Sequence, residues 1–113
     1  MSVVIVGGND KMIRQYEDLC KNYKCKAKVF TQPSSNLREK IGRPDLMILF
    51  TNTVCHKMIV TATQTAGKNN IEIARSHSSS ATALKKILSQ YCGSFYHTNK
   101  HQIWLLYKIA KII

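Results

Sequence analysis

Acidic residues are scarce in this sequence. Its 113 residues include six Asp and Glu against 17 Lys and Arg, and none of the 41 residues after Glu72 is acidic. A formal net charge of +11 favours anionic partners in general, whether nucleic acid, nucleotide or acidic protein. The charge does not distinguish among these partners, and a lysine-rich solvated surface accounts for it equally well. The lack of carboxylates argues against a magnesium site for phosphoryl transfer.

Metal-binding cysteine pairs and long apolar segments are also missing. The cysteines, at positions 20, 25, 55 and 92, form no CxxC pair and no zinc-ribbon spacing, so no metal site is predicted from them. No apolar stretch approaches the roughly 20 residues that a membrane span needs. Met1 leads directly into an apolar run, without the basic segment of a signal peptide. These absences predict a soluble, cytoplasmic protein with no membrane partner.

What the sequence does contain is a repeated alternation of strand and helix patterns. β-Branched or apolar runs at 3–6, 25–30, 46–50 and 71–74 predict strands, and the apolar spacing between them predicts helices at about 12–23, 36–41, 55–67 and 80–91. The third strand is apolar throughout, which predicts burial on both faces. Alternating strands and helices imply parallel pairing with helices on both sides of the sheet. We therefore predict a three-layer α/β fold, Rossmann-like or flavodoxin-like, with four or five strands in the order 2-1-3-4.

The domain is expected to end near residue 92. Residues 93–113 form an apolar extension whose pattern fits either a helix or a fifth strand at 102–109, and the helix is slightly favoured. Trp104, Leu105 and Leu106 in this extension offer more apolar surface than one helix face buries. A homodimer that covers this surface is therefore expected.

Three blocks of the sequence resemble a known family. They are VVIVGGND at the start, PDLMILFTNTVCHKM in the middle and RSHSSSATALKKIL further on, in that order. Together they span about residues 1–92 and resemble a small bacterial family named domain of unknown function 2325. The resemblance implies a Rossmann-like fold, in agreement with the alternation of strands and helices. The family has no established activity. The resemblance therefore identifies neither a function nor a cofactor, and both stay open.

Polar clusters follow three of the predicted strands, at the sheet edge where open parallel sheets bind ligands. With the order 2-1-3-4, strands one, three and four are neighbours, and their clusters line one rim. The candidate ligand-binding residues are Gly7, Gly8 and Asn9 after strand one, Thr51, Asn52, Thr53 and His56 after strand three, and Arg75, Ser76, His77, Ser78, Ser79 and Ser80 after strand four.

The glycine pair after strand one has two interpretations. Gly7 and Gly8 permit positive φ and close backbone approach, and a helix start follows them, which suits an anion. A purely structural turn is the alternative. The pair is not a dinucleotide fingerprint, because no third glycine follows before Gly42. Asp10 is predicted to cap the helix, and it is the only acid at the predicted rim.

The segment after strand three predicts a helix start. Thr53 is the expected cap and His56 lies in the first turn. A neutral imidazole there could donate to a ligand or bind a metal, and a histidine that is merely hydrogen-bonded is the alternative.

The serine cluster is the strongest candidate. One hydroxyl, at Ser79 or Ser80, suffices to cap the next helix, which leaves up to three without a structural task. Serine hydroxyls, helix-start amides and Arg75 together predict a cradle for a phosphate or carboxylate that also touches Gly7 and Gly8 or His56. A solvated polar loop is the competing interpretation.

These observations predict a binding or sensing module for a small anionic ligand, a nucleotide or a phosphorylated metabolite. One alternative is an enzyme that uses His56 and His77, and another is a metal site built from these histidines with Cys55. A third is nucleic-acid binding through the basic surface, although the sequence contains no recognisable motif for it.

Overall fold

The computed structural model describes residues 1–91, in which four strands alternate with four α-helices. A short 3-10 turn at Asp10–Met12 precedes the first helix. The elements are β1 at Ser2–Val6, α1 at Ile13–Asn22, β2 at Lys26–Phe30, α2 at Leu37–Ile41, β3 at Leu46–Phe50, α3 at His56–Asn69, β4 at Glu72–Ser76 and α4 at Ala81–Tyr91.

The strands form one parallel sheet in the order β2-β1-β3-β4. The predicted fold class and the predicted strand order are both confirmed. All four carboxyl ends therefore lie at the same edge of the sheet, with the end of β1 between those of β2 and β3. The largest difference from the prediction is β4, which begins one residue later than expected and continues through Arg75 and Ser76.

Alternation along the two central strands produces two apolar clusters, one on each face of the sheet. Val3 and Ile5 of β1 pack with α1 and α4, whereas Val4 and Val6 pack with α2 and α3. Every residue of β3 is buried, as its continuous apolar sequence predicts for a strand covered on both faces. The result is a three-layer arrangement with helices on both sides of the sheet.

No helix within residues 1–91 has the length and apolar character that crossing a membrane requires. The extension predicted at 93–113, its helix or fifth strand, and the apolar residues Trp104, Leu105 and Leu106 lie outside the described residues. The homodimer expected from them stays a prediction, and light scattering at micromolar concentration would test it.

Candidate functional site

The turn after β1 uses its backbone donors within the protein. The Gly7 N–H donates to the carbonyl oxygen of Phe30 at 2.8 Å, and the Gly8 N–H donates to Oγ1 of Thr53 at 2.8 Å. The Asn9 N–H donates to the hydroxyl of Tyr16 at 3.2 Å. Three successive N–H groups that could have bound an anion are therefore already satisfied, which supports the structural interpretation of this turn.

Both glycines are also required by their surroundings. Gly7 and Gly8 have φ values of +100° and +97°, a region that side chains disfavour. A Cβ on Gly7 would lie 2.8 Å from the carbonyl oxygen of Phe50, and a Cβ on Gly8 would lie 2.7 Å from Cε2 of Tyr16. Close packing inside the protein thus accounts for the glycine pair without a ligand.

Tyr16 connects this turn with the serine loop. The tyrosine is fully buried, and its hydroxyl donates to the carbonyl oxygen of Ser79 at 2.7 Å while it accepts from the Asn9 N–H. One phenol therefore holds together the chain segments that follow β1 and β4. The sequence pattern indicated only that Tyr16 belongs to the apolar face of α1, so this role was not predicted.

The segment after β3 is held by both neighbouring strand ends. The Thr51 N–H donates to the carbonyl oxygen of Ser76 at 2.8 Å, and Thr53 accepts from Gly8. The prediction that Thr53 caps α3 is wrong, because its hydroxyl bonds the turn after β1 and the cap position is Cys55, which makes no side-chain cap bond. His56 is the first residue of α3, in the first turn as predicted. Its side chain is exposed, as is that of Asn52.

The serine loop is stabilised by its own hydroxyls. Ser80 Oγ accepts from the Ala83 N–H at 3.1 Å, which confirms that one serine caps α4. Ser78 Oγ donates to Ser80 Oγ at 3.1 Å, and Ser76 Oγ donates to the carbonyl oxygen of Ser78 at 2.7 Å. The expectation that the other hydroxyls have no structural task is therefore wrong for Ser76 and Ser78. His77, between them, is exposed.

Arg75 leaves the sheet on the side opposite to the serines. In the parallel register Arg75 pairs with Leu49, which packs with α2 and α3, whereas Ser76 pairs with Phe50, which packs with α1 and α4. Residues paired across strands point to the same face of a sheet. Arg75 therefore shares one side with the start of α3 and His56, and the serine loop with α4 lies on the other side.

The two sides meet at the open edge of β4, in a shallow depression at the carboxyl end of that strand. Two basic residues and several hydroxyl side chains line it, and no carboxylate does. The lining consists of Arg75, Ser76, Ser78, Ser80, Thr82, Ala83, Lys86 and Ile87. This depression concentrates positive charge and hydroxyl donors at the start of α4.

Asp10 lies at the other end of the rim. Its carboxylate accepts hydrogen bonds from the hydroxyl of Thr31 and, at 2.9 Å, from Nε2 of Gln32, both of which follow β2. The predicted cap role of Asp10 is wrong, because Asn9 caps the 3-10 turn by accepting from the Lys11 N–H. The strand order separates the ends of β2 and β4 by three strand spacings, about 14 Å. Asp10, the acid at this edge of the sheet, is therefore far from Arg75.

Metal ligands do not gather within residues 1–91, where no group of three His, Cys, Asp or Glu side chains could hold an ion. The described cysteines are free, with Cys20 and Cys25 buried and Cys55 exposed.

Comparisons with known proteins agree with the geometry of the sheet. A de novo designed Rossmann fold protein superposes with a TM-score of 0.56 at 14% sequence identity, covering 80% of this chain and 95% of the design. At this identity the likeness shows the fold alone. No curated protein matches the chain significantly. The model of the family described as "Uncharacterized protein conserved in bacteria (DUF2325)" matches residues 2–91. Because that match covers most of the sequence, the chain belongs to this family.

Proposed function

We propose that the protein is a binding or sensing module for a small anionic ligand, a nucleotide or a phosphorylated metabolite, at the carboxyl end of β4. The observation that carries this proposal is the composition of the depression there, which brings Arg75 and Lys86 next to four hydroxyl residues and contains no carboxylate. Fixed positive charge with short hydroxyl donors is the combination that phosphate groups prefer. Ser76 and Ser78 donate within the loop, so Ser80 and Thr82 supply the hydroxyl donors for the ligand.

The start of α4 adds backbone donors to these side chains. The first N–H groups of a helix have no partner inside it, and Ser80 caps only the one on Ala83. The positive end of the helix dipole favours an anion at the same place. Thr82 and Lys86 lie one helical turn apart, so both reach the same side of the depression.

The geometry restricts how the ligand is held. Arg75 approaches from the α3 side of β4, and the serine loop and Lys86 approach from the α4 side, so the ligand straddles the end of the strand. The Gly7–Gly8 turn lies two strand spacings away, about 10 Å, and its N–H groups are already bonded. A single phosphate bound at Arg75 cannot reach that turn, whereas a ligand of nucleotide size can.

The enzymatic and metal-binding alternatives have less support. His56 and His77 are both exposed, and no third ligand joins them within the described residues. Neither histidine makes a hydrogen bond to a carboxylate that would orient it for proton transfer. Binding without catalysis is therefore the function we propose.

Titration calorimetry with inorganic phosphate and a panel of nucleotides tests the proposal. Arg75→Ala should weaken the bound anion by about tenfold or more, because a hydrogen bond between charged groups contributes roughly 1.5–3 kcal/mol. Lys86→Ala should weaken it too. Ser78→Ala should have a smaller effect, and His56→Ala the smallest unless the ligand extends towards α3.

Lys85→Ala is the matched control, because Lys85 is the neighbouring exposed lysine of α4 and lies outside the depression. If wild type, Arg75→Ala and Lys86→Ala bind the anion with equal affinity, the proposal is overturned. The serine loop is then a solvated polar loop without a ligand.

A further inference from the structure

Basic residues are concentrated in one part of the described chain. Residues 21–43 hold seven Lys and Arg and a single acid, Glu39, whereas the rest of residues 1–91 holds seven basic and five acidic residues. This segment contains β2 and α2, at the far edge of the sheet from β4. The charge of the protein is therefore strongly asymmetric.

Alternation along β2 places its lysines on one face. Lys26 pairs with Ser2 and Lys28 pairs with Val4, whose side chain packs with α2 and α3. Lys26 and Lys28 therefore point to the α2 side, about 7 Å apart along the strand. Because α2 has only five residues, it covers Phe30 but leaves both lysines exposed.

One further cation, Arg43, reaches the same cleft from the turn after α2. The ammonium group of Lys28 donates to the carbonyl oxygen of Lys40 at 3.4 Å, which ties the strand to the end of the helix. Lys26, Lys28 and Arg43 line one cleft together with the Gly42 turn and the start of β1, and no carboxylate lines it. We call the surface formed by Lys26, Lys28 and Arg43 the β2–α2 basic face. The ammonium group of Lys40 is not part of it, because it donates to Oγ of Ser34 at 2.6 Å in the loop after β2.

The acid nearest in sequence to Arg43 is bonded to the start of β1, beside the cleft. Asp45 follows Arg43 by two positions, and its carboxylate accepts from the Ser2 N–H at 2.7 Å. That bond fixes the start of β1 beside β3. The carboxylate does not line the cleft, although its partner Ser2 does, and the three cations of the face outnumber this one acid.

We propose that the β2–α2 basic face binds the phosphodiester backbone of a nucleic acid. Exposed lysines spaced along a strand, with an arginine beside them and no acid in the cleft, match a row of backbone phosphates. An acidic protein fits less well, because protein interfaces depend on buried aromatic or apolar anchors. Within residues 1–91 the only large apolar side chains that are exposed are Met1 and Val60.

The same features define the kind of recognition. No exposed aromatic side chain lies among the three cations, so bases have no surface on which to stack. The face therefore contacts phosphates alone and binds different sequences with similar affinity. This surface lies at the amino ends of β1 and β2, and the anion depression lies at the carboxyl end of β4. The two proposals can therefore fail independently.

Fluorescence anisotropy with a short labelled oligonucleotide, single-stranded and duplex, tests the inference. Between about 50 and 200 mM salt the logarithm of the association constant should fall linearly with the logarithm of the salt concentration. The triple variant Lys26→Gln, Lys28→Gln and Arg43→Gln should weaken binding by about tenfold or more at low salt. It should also make the salt slope shallower by about two to three for the duplex.

A second triple variant removes the same charge from other exposed positions of the protein. This control, Arg14→Gln, Lys68→Gln and Lys85→Gln, should retain most of the affinity and the salt slope. Equal losses in the two triple variants would show an effect of net charge and would overturn the proposal. So would the absence of binding by the wild type at low salt, or preferential binding of poly-glutamate. The single variant Arg43→Gln, at an exposed position, should weaken binding even if the triple variant folds poorly.

Discussion

The hydroxyl of Tyr16 lies between two loops, with a 2.7 Å hydrogen bond to the carbonyl oxygen of Ser79 and a 3.2 Å bond from the Asn9 N–H. The tyrosine itself is fully buried, whereas Ser79 is half-buried and Asn9 is exposed. This single phenol fixes the distance between the turn after β1 and the start of α4, and with it one side of the proposed anion site.

Tyr16→Phe should lower the free energy of unfolding by about 1–3 kcal/mol, because it removes two hydrogen bonds that each contribute roughly 0.5–1.5 kcal/mol. Urea denaturation measures this change. Tyr91→Phe is the control, because it removes the same hydroxyl group from a half-buried tyrosine at the end of α4, away from the two loops. A Tyr16→Phe variant as stable as Tyr91→Phe would contradict the bridging role.

Two glycine-to-alanine substitutions should change stability in opposite directions. Gly8→Ala should destabilise the protein by about 2 kcal/mol or more, because φ is +97° and the new Cβ would lie 2.7 Å from the Tyr16 ring. Gly67→Ala should stabilise it by about 0.5–1 kcal/mol, since this residue lies within α3 with no atom within 4 Å of the added carbon. Thermal unfolding of both variants beside the wild type checks the prediction, which fails if the two shift in the same direction.

The hydroxyls of neighbouring serines should differ in their contribution to stability. Ser80→Ala should cost about 1 kcal/mol, because Ser80 caps α4 through the Ala83 N–H. Ser79→Ala should cost much less, since Ser79 contributes its backbone carbonyl to the Tyr16 bond. Chemical denaturation of the two variants measures the difference. Comparable losses would mean that the cap is not the source of the effect.

Stability should fall in alkaline solution because of Cys20. Burial, with smaller contributions from Cys25 and Glu17, raises the pKa of the Cys20 thiol from 9.0 to about 12. Between about pH 9 and pH 12 the unfolded chain loses this proton while the folded protein retains it, so unfolding becomes easier as pH rises. The slope from this group is about 1.4 kcal/mol per pH unit.

Denaturation of the wild type and Cys20→Ala at pH 8 and pH 10 isolates that contribution, because the other titrating groups are common to both proteins. The wild type should lose more stability than the variant over this interval. At pH 8, the exposed Cys55 should react with a thiol reagent far faster than Cys20. Identical pH dependence of the two proteins would contradict the assignment.

The parts of the fold that follow from local pattern were predictable from the sequence. β3 has the predicted bounds, because its continuous apolar run is what burial on both faces requires. The alternation of strands and helices predicted parallel pairing, and the order β2-β1-β3-β4 is the flavodoxin-like order expected for such a sheet. The sequence also indicated which strand ends carry polar residues, and the structure places those ends at one edge.

The candidate site was predicted less well, because its hydrogen bonds join residues far apart in sequence. Thr53 looks like a helix cap, yet its partner is Gly8, 45 positions away. Asp10 likewise bonds Thr31 and Gln32 rather than the helix that follows it. Arg75 was predicted to lie in the loop after strand four, whereas β4 continues to Ser76. Because successive strand residues point to opposite faces, its position in the strand decides on which side of the sheet Arg75 lies.

The central position of β1 affects how the protein folds during its synthesis. β2 begins 20 residues after β1 ends, but the other partner of β1, β3, begins 40 residues after it. Until residues 46–50 leave the ribosome, the β1–α1–β2 unit has an open strand edge at β1. Val4 and Val6, which pack with α3 in the folded protein, are not yet covered by it. We therefore expect an early intermediate that adheres to chaperones or to other nascent chains, and a fold that becomes complete only after β3 is inserted beside β1.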